Sequence, residues 1–133
     1  MTTAHSITLT TTLDVPFQTA FAYLADPRNQ AEWAVHFIKA VREEGGLVLA
    51  TTPMGEMPLR VASAVELGVL DIQLGDGPAI PTRLVPNGGG CEYIFTLGKP
   101  PGMPDDVWTN VAIPNMREEL DLLKKRLEQG GAR

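Results

Sequence analysis

Between residues 36 and 97 one pattern occurs six times: a short strand-like stretch, then a turn built on glycine, proline or asparagine. The stretches are 36–44, 47–52, 57–65, 70–74, 80–86 and 91–97. Gly45-Gly46 is a two-residue hairpin signal, and Asn87-Gly88-Gly89-Gly90 turns the chain into the last stretch. Parallel neighbours need a crossover of about a dozen residues or more, so strands this closely joined form an antiparallel meander. Met57, Leu59, Val61, Ser63 and Val65 share one face of the third stretch, opposite Arg60 and Glu66. Cys91, Tyr93, Phe95 and Leu97 share the inner face of the last.

An earlier strand is read from Ile7, Leu9, Thr11 and Leu13 alternating with threonines. Pro16 suits the first turn of a helix carrying Phe17, Ala20, Phe21 and Leu24 at helical spacing. Asp26-Pro27 interrupts it, and residues 28–33 form a second short helix or turn. A connector rich in proline and glycine, 98–104, leads into a final helix predicted from about 104 to 128. Asp105 and Asp106 suit its N-terminal end, and Lys124, Lys125 and Arg126 its C-terminal end. Trp108, Ala112, Met116, Leu120, Leu123 and Leu127 trace one apolar stripe. Pro114 costs a helix interior about 3 kcal/mol, so a kink or break is expected there.

Every strand has an apolar face to cover, and the final helix is long enough to do so. A twisted sheet curled about one helix leaves a gap near the helix's N-terminal half, a natural place for an apolar ligand. The later helix leucines pack tightly, whereas Trp108, Asn110, Ala112 and Asn115 around a proline fill space poorly.

A chain of 133 residues with 44% hydrophobic and 20% charged residues reads as one soluble domain spanning 1–133. A net charge of −5, with the acids spread along the chain, argues against nucleic acid or an anionic membrane as partner. One cysteine, Cys91, excludes an internal disulfide and a cysteine-based zinc site. No signal-peptide pattern and no membrane-spanning apolar run are found, so a cytoplasmic location is expected.

The β-α-α-β6-α order resembles the START-related helix-grip superfamily (SRPBCC), which includes polyketide cyclase-like proteins, plant pathogenesis-related allergens and lipid-transfer domains. Val15-Pro16 opening the first helix, Asp26-Pro27 followed by Trp33, and the long last helix carry the likeness. Thr52-Pro53-Met54-Gly55-Glu56, Gly68-Val69-Leu70-Asp71, Val85-Pro86-Asn87-Gly88, Phe95-Thr96-Leu97 and Pro101-Gly102-Met103 are similar to a bacterial polyketide cyclase-like subgroup. The resemblance implies an α+β fold: a seven-stranded curved antiparallel sheet around a long C-terminal helix. Two departures stand out: Pro114 in a helix usually continuous, and Ile72 after Asp71 where the subgroup implies a histidine.

The candidate ligand-binding residues are Trp33, His36, Met57, Tyr93, Phe95, Trp108 and Met116. His36 is either a proton donor and acceptor in a cavity or a strand-start histidine bonded to a loop carbonyl. Tyr93 presents its hydroxyl to the cavity or bonds to backbone; both readings stand. Trp33 and Trp108 suit stacking on a ligand or ordinary packing, and the methionines a pliable lining or plain core. Cys91 reads as a small core residue, and the glycines at 88–90 as a turn lacking any phosphate-binding pattern. No metal-ligand, cofactor or nucleophile motif is present. Three functions are therefore open. The first is binding or transport of a small hydrophobic or aromatic molecule. The second is a polyketide cyclase- or hydrolase-like enzyme in the same cavity, and the third a protein-interaction module; a homodimer is an open option.

Overall fold

The computed structural model describes residues 3–131. Strand β1 (Ser6–Leu13) turns Leu9 and Leu13 into the core and Thr8, Thr10 and Thr12 outward, as the alternation predicts. Helix α1 (Phe17–Ala25) buries Ala20, Phe21 and Leu24. Pro16 sits one position earlier than expected, as its N-cap, with its carbonyl accepting from Ala20 N–H at 3.1 Å. The residues after Asp26-Pro27 form a 3-10 helix (Pro27–Glu32), capped by the Asp26 carboxylate accepting from Arg28 N–H.

The six stretches form β2 (Ala40–Glu44), β3 (Leu47–Thr52), β4 (Gly55–Ala64), β5 (Val69–Leu74), β6 (Thr82–Asn87) and β7 (Gly90–Gly98). With β1 they make one sheet in the order β1-β7-β6-β5-β4-β3-β2, every pair antiparallel. Register brings apolar residues opposite one another: Leu9 faces Phe95, Leu13 faces Cys91, and Leu84 faces Tyr93.

Three boundaries differ from expectation. The second strand begins at Ala40, because residues 34–38 turn back on themselves, Phe37 and Ile38 N–H both bonding to Ala34 carbonyl. His36 therefore sits in a turn, not at a strand start. Val65 does not share the face of Met57 and Leu59 that alternation predicts: it begins a 3-10 turn (Val65–Leu67) and is exposed. Gly68 ends that turn at φ 66°, where a Cβ would overlap the Leu84 carbonyl. Ile80 pairs with Ile72 only as an isolated bridge, and β6 proper starts after Pro81.

The final helix is α-helical over Asp105–Val107, π-helical over Trp108–Ala112 and α-helical again over Ile113–Arg126. The expected disruption at Pro114 takes the form of this widened turn, and the helix is not broken. Ile113 N–H reaches back five residues to Trp108 carbonyl, which absorbs the register the proline cannot support. Pro114 itself is exposed. Downstream, Met116, Leu120 and Leu123 are buried, with Leu127 following in the next turn. Lys124 Nζ donates to Thr12 carbonyl at 2.7 Å, and Asp14 N–H to Glu128 Oε2 at 2.7 Å, tying this end of the helix to β1. The C-terminal half is thus packed and fastened, and the space lies at the other end.

Candidate ligand cavity

A cavity of about 350 Å³ lies between the sheet and the N-terminal half of the final helix. The helix contributes Trp108, Ala112, Asn115, Met116 and Glu119, residues that helical spacing brings to one face. The sheet side is apolar, formed by Leu59, Ile72, Leu74, Ile80, Phe95 and Leu97. The turn after the 3-10 helix supplies Trp33, Ala34, His36, Phe37 and Ile38, with Gln30 behind them. Met54 at a hairpin tip and Pro100 and Met103 of the connector complete the wall.

Of the candidate residues, Trp33, His36, Phe95, Trp108 and Met116 line this space, whereas Met57 and Tyr93 do not. Met57 shares its face with Leu59, but the partner strand β5 ends at the Leu74 pair. Met57 therefore lies beside Gly75 in the following turn. Tyr93 is 1% exposed and sits beneath Trp33, the two rings edge-to-face with centroids 6.1 Å apart. Burial pushes its phenol pKa well above the ordinary value, with the Thr82 hydroxyl its polar neighbour. Tyr93 supports the cavity wall from below and presents nothing to its interior.

The polar features cluster where the turn meets the helix. Glu119 Oε2 accepts from His36 N–H at 2.8 Å, and Phe37 N–H lies near the carboxylate while bonding to Ala34 carbonyl. Burial raises the Glu119 carboxyl pKa, and these backbone donors only partly offset it. His36 Nε2 lies 3.4 Å from Glu118 Oε1 but without hydrogen-bond alignment, and it has no other partner among the described residues. Trp33 Nε1 is likewise buried and has no partner among the described residues. An unmade buried hydrogen bond costs about 1–3 kcal/mol, so such groups are unusual and mark a place where a partner would be welcome.

Glu119 was not among the sequence candidates. Its signal is spacing: it stands three residues after Met116 and directly before Leu120, both on the inner stripe. Cys91 is buried with its Sγ 3.6 Å from Val15 carbonyl, and burial pushes its thiol pKa up, as befits a core residue. Among the described residues no group of three His, Cys, Asp or Glu could hold a metal ion, and no helix is long and apolar enough to cross a membrane.

No family model matches this chain, and no curated relative matches it. Solved structures do. Ara h 8.0201 aligns with a TM-score of 0.63 at 15% identity, covering 96% of this chain and 100% of that one. The Aha1 dimer from Colwellia psychrerythraea aligns with a TM-score of 0.66 at 14% identity, covering 95% and 98%. DynU16, a protein of the dynemicin biosynthetic locus, gives 0.61 at 17% identity, covering 94% of this chain and 48% of that longer one. The chain shares the helix-grip fold of these structures. At these identities the likeness establishes architecture alone.

Proposed function

We propose that this protein binds a small hydrophobic or aromatic molecule in the cavity between the sheet and the final helix. The observation that carries the reading is the cavity itself: about 350 Å³, walled mainly by apolar side chains, in a protein whose other helix half is tightly packed. That volume is at the lower end of the roughly 300–1,000 Å³ typical of small-molecule sites, which favours a compact ligand. Both tryptophans, Trp33 and Trp108, line it, which suits an aromatic guest. Trp33, His36, Phe95, Trp108 and Met116 are the contact residues, joined by Glu119. The chain is read as one cytoplasmic domain, with binding or transport as its task. Native mass spectrometry of the protein as purified tests this: a retained organic mass lost on denaturation supports it.

A second reading is favoured by Glu119. A partly buried carboxyl with a raised pKa, beside His36 in an apolar cavity, suits proton transfer in a cyclase- or hydrolase-like reaction. Glu119→Gln would then cut turnover by about 100-fold while leaving binding intact. Under the binding reading the same variant has no turnover to lose. The Aha1 neighbour is a dimer, which makes self-association of this chain worth measuring by sedimentation.

A further inference from the structure

The charges around the cavity are one-sided. Glu119 is a carboxylate in its wall, and among the described residues no lysine or arginine lines it. Nearby cations are engaged elsewhere. Lys39, whose charge reaches Glu119, donates from Nζ to Val35 carbonyl at 3.2 Å and is exposed. Lys99, next to Pro100, is paired with Asp105. At the rim, Glu118 adds a second negative charge 3.4 Å from His36 Nε2.

Resting on the ligand-binding reading, we propose that the cavity takes an uncharged apolar molecule bearing an N–H or O–H donor and excludes organic anions of the same shape, with Glu119 as the selecting residue. An anion entering this space would leave water without meeting a lysine or arginine among the described residues and would face the Glu119 carboxylate across an apolar gap. A neutral donor meets the opposite situation. A carboxylate offers about four lone-pair sites, and His36 N–H occupies one, so Glu119 retains capacity to accept from a ligand. Selection of this kind works by an unfavourable charge against the wrong guest as well as a bond to the right one.

The test uses a matched pair of fluorescent probes: phenylnaphthylamine, uncharged with one N–H, and anilinonaphthalene sulfonate, the same skeleton carrying an anion. Wild-type protein should bind the amine at least about tenfold more tightly. Because the amine is also the more hydrophobic probe, the variants decide. Glu119→Gln and the apolar Glu119→Met should each tighten sulfonate binding by about tenfold, narrowing the gap, whereas Glu118→Gln at the rim should change it by less than about threefold. Sulfonate binding equal to or tighter than the amine in wild type would overturn the selection while leaving ligand binding standing. A gap unchanged in folded Glu119 variants would overturn the role of Glu119. Failure of both probes to bind would overturn the binding reading and this inference with it.

Discussion

Glu119 Oε2 and the backbone N–H of His36, 83 positions apart in the chain, are joined by a 2.8 Å hydrogen bond that clips the cavity-lining turn to the final helix. Burial raises the Glu119 pKa in the folded state, so folding favours its protonated form. Its contribution to stability is therefore present at acidic pH and is lost as pH rises through the carboxyl range. Glu119→Gln removes this dependence. The stability of wild type relative to Glu119→Gln, from urea unfolding, should improve as pH falls from about 7 to about 4. Carboxylates with lowered pKa values, such as Asp26 and Asp105, act in the opposite sense but are common to both proteins and cancel in the difference. A relative stability that instead fell with pH would mean that hydrogen bonding, not burial, governs Glu119.

The two halves of the final helix should respond differently to truncation. Leu123 is fully buried in close packing, so Leu123→Ala should cost about 2–5 kcal/mol in urea unfolding. Met116 borders an existing cavity, where removing atoms enlarges a space already present and loses fewer contacts. Met116→Ala should cost roughly half as much. Equal costs would mean that the N-terminal half is as well packed as the rest.

Gly68 should tolerate no side chain. It combines φ 66° with the close approach of Leu84 carbonyl, and its own carbonyl accepts Leu84 N–H at 2.8 Å. Gly68→Ala should destabilise by more than about 2 kcal/mol, since the left-handed backbone alone costs an alanine about 1–2. Gly89→Ala, with open space around it, should stay within about 0.5 kcal/mol of wild type. Thermal denaturation of the two variants side by side reads the contrast.

The strands were legible because turn residues punctuate them and because short turns dictate antiparallel pairing. The helical stripe of Trp108, Met116, Leu120, Leu123 and Leu127 likewise emerged from periodicity. Less was legible about the site. Alternation places Tyr93 and Phe95 on the same face, but only their position along the curved sheet decides that Phe95 reaches the cavity while Tyr93 lies under Trp33. Met57 fails for a related reason, its strand outlasting its partner. Pro114 signalled an irregular helix, but not that a π turn would absorb it. Glu119 sits in the charged run Arg117-Glu118-Glu119, where only the Met116 and Leu120 neighbours hint that it faces inward.

Occupancy of the cavity is the central claim, and the tryptophans report on it directly. Trp33 and Trp108 are the chain's two tryptophans, and both line the space, so a bound guest must perturb their emission. Ala112 also lines it, on the helix between Trp108 and Met116. Ala112→Phe would project a ring into the volume that a ligand needs. The decisive measurement is tryptophan emission during titration with phenylnaphthylamine, wild type beside Ala112→Phe, with circular dichroism confirming that both are folded. Wild type should show saturable energy transfer to the probe, and Ala112→Phe should weaken it by about tenfold or more. Saturable binding of equal strength in both proteins would place the probe elsewhere and contradict the claim.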